Sequence, residues 1–346
     1  MSIPDFAMTV EALADKSTLI LGGTGTGKSI IVNEVLYTLR EHIEQVIVIS
    51  GTDNSNGAYG DKVVPEQCVY TAFTPELLEN LYERQSAFAD VYKRANDAKL
   101  LKRLFERAES ADGRRMVASI EQRLSQYEAE VTDTTPDPQA ASAKIEHLRK
   151  DCNELIISIY KHYIRKHRDI IMRYKMAPEE QHALKYIDFN PRLLLIFDDV
   201  TEQIDRYKKH QIMQKIFFQN RHAYITVVIA AHSDSALGPA LKKSAANTIF
   251  TDSLAARGYF NRDTNSIKTD KVLMGLVNTA ISQVRPSKEN FTKLVWQGSE
   301  GKFHKHKAEP HSNFRFGGDA LWRYCSLIAA DKSTRLSTNK FMSDFC

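Results

Sequence analysis

Residues 17–39 read STLILGGTGTGKSIIVNEVLYTL and join three patterns in one continuous stretch. Ser17–Leu21 is a short apolar run, which is typical of a buried strand. Glycines follow at once, and beyond them the apolar residues from Ile30 to Leu39 recur at helical spacing. The stretch therefore predicts a strand, a glycine-rich loop and a helix, a unit from which α/β domains are built.

The glycine-rich loop matches the phosphate-binding pattern G-x-x-x-x-G-K-[ST], or Walker A, in the strand-to-helix context that this pattern requires. Its glycines let backbone N–H groups and the helix N-terminus face a phosphate chain. Lys28 would reach the β- and γ-phosphate oxygens, and Ser29 would ligate Mg²⁺. The predicted nucleotide-binding residues are Gly22, Gly23, Thr24, Gly25, Thr26, Gly27, Lys28, Ser29 and Ile30.

Three further apolar runs predict the sheet to which this first strand belongs. Residues 45–50 read QVIVIS, residues 193–197 read LLLIF, and residues 225–231 read ITVVIAA. Continuous apolar runs are typical of parallel strands that are buried on both faces. We therefore expect an α/β fold with a mainly parallel sheet flanked by helices.

Polar side chains follow two of these runs, at the strand ends where open α/β sheets bind ligands. Asp198 and Asp199 end the LLLIF run and form a Walker B pattern. We predict that Asp198 holds Mg²⁺ through water and that Asp199 is the general base that polarises the attacking water. His232 follows the ITVVIAA run and is the candidate sensor of the γ-phosphate; a structural histidine is the alternative.

Arg221 precedes the ITVVIAA run, so we expect it at the opposite edge of the sheet from its own phosphate loop. From there it is a candidate arginine finger, supplied in trans to a neighbouring subunit to neutralise charge on the transferred phosphoryl group. The alternative is an arginine that pairs with a nearby carboxylate.

The chain divides by composition into three parts. Residues 1–73 and 186–255 hold the strand patterns and are the predicted ATPase core. Residues 74–185 are almost continuously helical in pattern, which predicts an inserted helical region. Residues 256–346 are a C-terminal segment rich in basic and aromatic residues. A basic helix over Lys161–Lys175 is a candidate surface for the DNA backbone, with a merely solvated face as the alternative.

Overall composition is that of an ordinary globular protein. The chain has 346 residues, with 47 Lys and Arg against 43 Asp and Glu, so its net charge of +4 does not by itself predict a polyanionic partner. The four cysteines lack the spacing of a zinc site or a disulfide framework. We expect no secretory leader and no membrane span, hence a soluble chain in a reducing compartment.

Taken together, these motifs resemble the viral genome-packaging ATPases of the FtsK/HerA superfamily, as found in poxviruses and other large DNA viruses. The resemblance covers about residues 1–255 and is weakest in the helical insertion. It rests on the GGTGTGKS unit, the SGT of Ser50–Thr52, Tyr59, Pro65, the Arg84–Gln85 pair, the LLLIFDD strand and the Arg221–His222 pair. The family usually has Gln at the strand tip where this chain has His232, and commonly Arg where it has Lys242 and Lys243.

The resemblance implies a RecA-like ASCE P-loop NTPase core that binds ATP and Mg²⁺ between the subunits of a homo-oligomeric ring, a pentamer or hexamer. It implies translocation of double-stranded DNA into a capsid, with a capsid vertex protein as a further partner. The implied location is the virion or a cytoplasmic virus factory. A cellular or plasmid DNA-pumping ATPase of the same superfamily and a nucleotide-gated assembly scaffold are the alternatives.

Overall fold

A computed structural model of the chain describes residues 3–330 except 53–56, 61, 136 and 264. The chain folds into two compact units. The first unit comes from Met1–Ala89 and Asn190–Cys346, and the second from Asp90–Phe189. The predicted helical insertion spans residues 74–185, whereas the second unit spans Asp90–Phe189.

The first unit is built on an eight-stranded sheet of order β3-β2-β4-β5-β1-β6-β7-β8 among the described residues. The strands from β3 to β6 in this order are parallel, and β7 and β8 are antiparallel to their neighbours. The mainly parallel α/β fold is therefore confirmed. The strands are β1 (Ser17–Leu21), β2 (Gln45–Ser50), β3 (Val69–Tyr70), β4 (Leu193–Asp198), β5 (Ile225–Ala231), β6 (Asn247–Phe250), β7 (Thr292–Gln297) and β8 (Lys302–Lys307).

Helices occupy much of the rest of both units. Within the first unit, α2 begins directly at the end of the phosphate loop and packs Ile31, Val35 and Leu39 into the core. The helices are α1 (Val10–Leu13), α2 (Lys28–Leu39), α3 (Pro75–Ala95), α4 (Ala98–Arg107), α5 (Ala111–Thr134), α6 (Pro138–Lys166), α7 (Arg168–Ile171), α8 (Pro178–Lys185), α9 (Thr201–Tyr207), α10 (Gln211–Phe218), α11 (Pro239–Ser244), α12 (Ser253–Asn261), α13 (Lys271–Val284) and α14 (Asp319–Ala330).

Burial explains why the central strands form a parallel sheet. Every residue of β1, β2, β4, β5 and β6 is buried. Strands β1, β2, β4 and β5 are accordingly mainly apolar, as expected for strands that are covered on both faces.

Residues 256–330 of the C-terminal segment belong to the first unit and extend its sheet, whereas residues 331–346 of that segment lie outside the described residues. Strand β7 pairs with β6, and β8 pairs with β7. Strand β7 carries the apolar residues of KLVWQ, whereas β8 reads KFHKHK and does not show a strand pattern. An edge strand with one covered face tolerates such charged side chains.

The second unit has its own hydrophobic core, with Leu101, Phe105 and Ile164 among its buried residues. Its long helices α5 and α6 lie side by side, where Arg149 Nη2 donates to Glu128 Oε2 at 3.0 Å. No described helix of either unit is both long enough and apolar enough to cross a bilayer.

The basic stretch Lys161–Lys175 is not one helix, so that prediction is wrong in its form. Helix α6 ends at Lys166, α7 is a single turn, and residues 172–177 connect it to α8. Tyr163, Ile164 and Ile171 of the stretch are buried in the core, whereas Met172 and Tyr174 are exposed. Its exposed cations are Arg165, Lys166, Arg168, Arg173 and Lys175.

A buried charged pair joins α2 to β8. His306 Nε2 lies 3.0 and 2.9 Å from the two Glu34 carboxylate oxygens, and His306 Nδ1 lies 3.1 Å from the Phe6 carbonyl oxygen. Both ring nitrogens thus face acceptors, which suits a protonated ring. Burial alone lowers the pKa of His306, but its bond to Glu34 and the Glu34 charge outweigh burial and leave the pKa raised.

This pair predicts a loss of stability at alkaline pH. Because the folded pKa of His306 is above its unfolded value, the charged ring stabilises the fold below that value. The stabilisation disappears as pH rises through the folded pKa. In urea unfolding, Glu34→Gln should therefore lower the midpoint at pH 6 much more than at pH 9. Glu300→Gln, in the turn before β8, is the control, and an equal loss at both pH values would contradict the prediction.

Candidate nucleotide site

The order of the parallel strands brings three predicted site segments to one edge of the sheet. Strand β1 lies between β5 and β6, and β5 lies between β1 and β4. The phosphate loop after β1, the acidic pair at the end of β4 and His232 after β5 therefore meet at the carboxyl edge. The Gly22 N–H donates to the Ala231 carbonyl at 3.2 Å, which ties the start of the loop to the end of β5.

The phosphate loop presents free backbone donors. Gly27 caps α2 in a left-handed conformation, with φ of 98°, which a residue with a side chain adopts at a cost. Within the described part of the chain, no hydrogen bond engages the N–H groups of Gly27, Lys28 or Ser29. Thr24 and Gly25 are exposed at the tip of the loop, and Ile30 is half-buried in the first turn of α2.

Lys28 is buried at the centre of the site. Its Nζ donates to the carbonyl oxygens of Gly22 at 2.9 Å and Gly23 at 3.0 Å. Burial lowers the pKa of Lys28, while the charges of Asp199, Asp198 and Asp252 raise it in part. The ammonium is thus surrounded by carboxylates and held by its own loop.

Asp198 is the buried member of the acidic pair. It is 7% exposed, and the Tyr59 hydroxyl donates to its Oδ2 at 2.8 Å. Burial raises the pKa of Asp198, and the neighbouring Asp199 charge adds to this. A cation is the natural partner of a carboxylate in this setting, because it offsets both effects.

Asp199 is more open and is turned out of the strand. It has φ of 55°, in the left-handed region, and its N–H donates to the Ala230 carbonyl at 3.1 Å. Gly51 lies against it so closely that an added Cβ at position 51 would be 2.8 Å from the Asp199 carbonyl oxygen. This approach gives a physical reason for the glycine in the SGT of Ser50–Thr52.

His232 links the phosphate loop to the acidic pair. Its Nδ1 lies 3.1 Å from Lys28 Nζ, and its Nε2 lies 2.9 Å from Asp199 Oδ1. Since an ammonium only donates, Nδ1 accepts and Nε2–H donates to the carboxylate. The ring therefore fixes Asp199 relative to Lys28, a role that its position at the strand tip did not reveal.

A third carboxylate, from the segment after β6, was not among the predicted site residues. Asp252 accepts from the Gly23 N–H at 2.6 Å and from the Ala255 N–H at 2.7 Å, so it ties the loop to the start of α12. Next to it, the hydroxyls of Thr251 and Thr26 lie 2.6 Å apart. The signal was a polar pair directly after NTIF, the same arrangement that marked the other strand ends.

Ser29 and Asp198 have the chemistry that Mg²⁺ requires. Ser29 is exposed at the start of α2 and shares a cavity of about 260 Å³ with Tyr59, whose hydroxyl binds Asp198. Hydroxyl and carboxylate oxygens are hard ligands of the kind that Mg²⁺ prefers. The two residues therefore fit the predicted metal role.

A second cavity, of about 610 Å³, opens on the other side of the loop. Thr26, His232 and Asp252 form its polar wall, and Leu254 and Pro286 contribute apolar surface. Its volume is in the range of pockets that hold small molecules.

Arg221 lies at the amino edge of the sheet, in the turn Asn220–Ala223 that precedes β5. It is therefore remote from the phosphate loop of its own chain, as the sequence predicted. Its side chain is exposed and makes no ion pair with any residue that the structure describes. Lys242, in contrast, donates to the buried Asp234 at 2.7 Å.

The Arg84–Gln85 pair of the resemblance does not reach the site. Gln85 Nε2 donates to the Pro191 carbonyl at 2.8 Å, and Arg84 Nη2 donates to Gln45 Oε1 at 3.1 Å. Both side chains are buried at the opposite end of β2 from the acidic pair. They hold α3 against the sheet.

Comparison with known proteins agrees with this geometry. Residues 1–169 match the family model described as the TraG P-loop domain. Protein B354L of African swine fever virus is 27% identical over 366 aligned residues, covering 99% of this chain and 96% of B354L. Protein 015R of Frog virus 3 is 33% identical over 73 residues, 21% of this chain and 22% of 015R.

Among solved structures, the genome packaging NTPase B204 from Sulfolobus turreted icosahedral virus 2, in complex with AMP, is similar over 88% of this chain and 100% of that one. Its sequence identity is 10% and the TM-score is 0.42. The phosphate loop with its lysine, the acidic strand end and the family match of residues 1–169 lead to one conclusion: the chain is a P-loop ATPase, and its residues 1–169 are similar to the TraG P-loop domain.

Proposed function

We propose that this ATPase uses ATP hydrolysis to translocate double-stranded DNA, and that the DNA is a viral genome being packaged into a capsid. The observation that carries the hydrolytic part is the contact series from Lys28 through His232 to Asp199, with distances of 3.1 and 2.9 Å. These contacts support the proposal, because they connect the candidate phosphate-binding lysine to the candidate base.

The geometry supports the following roles in hydrolysis. The free N–H groups of Gly27, Lys28 and Ser29 bind the phosphates, with the base and ribose in the neighbouring cavity. Ser29 and Asp198 would hold Mg²⁺, which would supply positive charge to neutralise the phosphate oxygens. Asp199 accepts a proton from water as the water oxygen bonds to the γ-phosphorus, and the bond to the bridging oxygen breaks to release ADP. His232 keeps Asp199 oriented for this transfer.

Arg221 supports a ring in which each subunit completes its neighbour's site. Its exposed position at the opposite edge of the sheet suits a group that acts in trans. Arg221→Ala alone should reduce turnover about 10³-fold. Lys28→Ala subunits, which have a dead site but an intact Arg221, should restore part of the turnover when they are assembled with Arg221→Ala subunits. Wild-type turnover by Arg221→Ala would contradict the role, and so would a failure of the mixture to recover.

Two observations support DNA as the cargo and a virus as the setting. The exposed cations of 165–175 form a basic surface of the kind that binds phosphate backbones. The relative that is similar over 99% of this chain belongs to a large DNA virus. In this proposal the ring is a pentamer or hexamer that binds a capsid vertex protein. It acts in the virion or in a cytoplasmic virus factory.

The decisive experiment measures phosphate release with and without duplex DNA, beside the molecular mass in solution. We expect Mg²⁺-dependent hydrolysis that duplex DNA stimulates several-fold and that falls as salt rises, since counterion release drives DNA binding. We also expect the mass of a ring. A rate of hydrolysis that duplex DNA does not change would contradict translocation and favour a nucleotide-gated scaffold. If duplex DNA stimulates hydrolysis but capsids do not protect the DNA, the result would favour a DNA pump that does not package a genome.

A further inference from the structure

Lys293, the second residue of β7, is a buried cation directly behind the phosphate loop. It is 2% exposed. Its Nζ donates to the carbonyl oxygens of Thr26 at 2.9 Å, Asn290 at 2.7 Å and Ser287 at 3.0 Å, and lies 3.4 Å from that of Thr251. The ammonium thus joins the loop to the segment that leads into β7.

The surroundings of this cation are unusual for a purely structural lysine. All of its hydrogen-bond acceptors among the described residues are neutral carbonyls, and burial lowers the pKa of Lys293, with Asp252 partly opposing this. Burying a charge without a bonded counter-ion is costly. A bound polyanion on the other side of the loop would supply the missing negative charge.

The contact with Thr26 acts on one particular donor of the site. The Thr26 carbonyl and the Gly27 N–H belong to the same peptide group, which is planar and trans, so they point in opposite directions. An ammonium that holds the oxygen therefore also aims the N–H away from Lys293, toward the phosphate side of the loop. By polarising the peptide, it makes that N–H a stronger donor.

Gly27 itself fits this arrangement. An added Cβ at Gly27 would lie 3.5 Å from Lys293 Cε, so the lysine side chain runs directly behind that residue. The Gly27 N–H makes no hydrogen bond within the described residues and is free to meet a ligand.

We propose that Lys293 is a positioning residue of the nucleotide site, which holds and polarises the peptide between Thr26 and Gly27 so that its N–H binds the nucleotide phosphates. The proposal rests on the proposed function only in placing a nucleotide in this loop. It assigns a role in the ATPase core to a strand far outside the residues that carry the motifs.

The test compares Lys293→Met with Lys302→Met, a matched change of an exposed lysine on β8. ADP affinity is measured by calorimetry, and the Gly27 amide is followed by NMR of protein labelled with ¹⁵N-glycine. Lys293→Met should weaken ADP binding about 10- to 100-fold, as expected for lost bonds to a charged group. It should also move the Gly27 amide proton upfield in the nucleotide-free protein. Lys302→Met should change neither.

A role limited to folding makes a different prediction: a lower melting temperature with an unchanged Gly27 amide and ADP affinity in the folded protein. That result would overturn the proposal. If Lys293→Met does not fold, Lys293→Arg, which keeps charge and donors, and Lys293→Gln, which keeps donors alone, replace it. Arg should then bind ADP more tightly than Gln, and equal affinities would reject the role of the charge. Wild-type protein that binds no ADP would instead reject the nucleotide site itself.

Discussion

Replacing Lys28 with Ala is expected to abolish ATP hydrolysis and to weaken ATP binding. The side chain is buried within the loop, 3.1 Å from His232 and surrounded by the charges of Asp198, Asp199 and Asp252. Without the ammonium, triphosphate oxygens would enter a site with several carboxylates and no lysine to balance them. Turnover should fall by about three orders of magnitude, measured as phosphate release at saturating ATP and Mg²⁺.

Lys302→Ala is the matched control, because Lys302 is an exposed lysine whose partner is the equally peripheral Glu300. Circular dichroism and the melting temperature should show that Lys28→Ala is folded. Lys28→Ala also removes the positive charge that offsets the mutual repulsion of the Asp198, Asp199 and Asp252 carboxylates. Residual turnover within tenfold of wild type would mean that the loop does not bind the reacting phosphates, and the ATPase assignment would fail with it.

Much of the site was predictable because its signals are local. Each strand end that carries chemistry has its polar residue directly after an apolar run, as with Asp198 and His232, and parallel strands place these ends at one edge. The order of the strands was not local information. It decided that β5 lies between β1 and β4, so that His232 connects Lys28 to Asp199.

Contacts from the last third of the chain were the part that sequence reasoning missed. Asp252 and Lys293 follow or lie within weakly patterned strands, and they matter only because β6 and β7 extend the sheet beside β1. Lys293 belongs to a segment that is basic in composition, yet its side chain is buried against carbonyl oxygens. The prediction of one basic helix over Lys161–Lys175 was wrong for a related reason. The charge pattern is continuous, but the helix ends at Lys166.

Replacing Asp199 with Asn is expected to separate ATP binding from hydrolysis. The amide has nearly the shape of the carboxylate but cannot take a proton from the attacking water. It also replaces the charged acceptor of His232 Nε2, now 2.9 Å away, with a neutral one. Turnover should fall about 10²- to 10⁴-fold, while the Kd for ATP should stay within a few-fold of wild type.

Comparing Asp199→Asn with Lys28→Ala distinguishes a loss of hydrolysis from a loss of nucleotide binding. Both variants should be inactive, but only Asp199→Asn should retain nucleotide on a filter or in calorimetry, because of the two residues only Lys28 is proposed to bind the phosphates directly. Asp205→Asn, on the exposed face of α9, tests for a general effect of removing an acid near β4. If Asp199→Asn kept its turnover while Asp198→Asn lost it, the base would have to be another group, and the link through His232 would be structural alone.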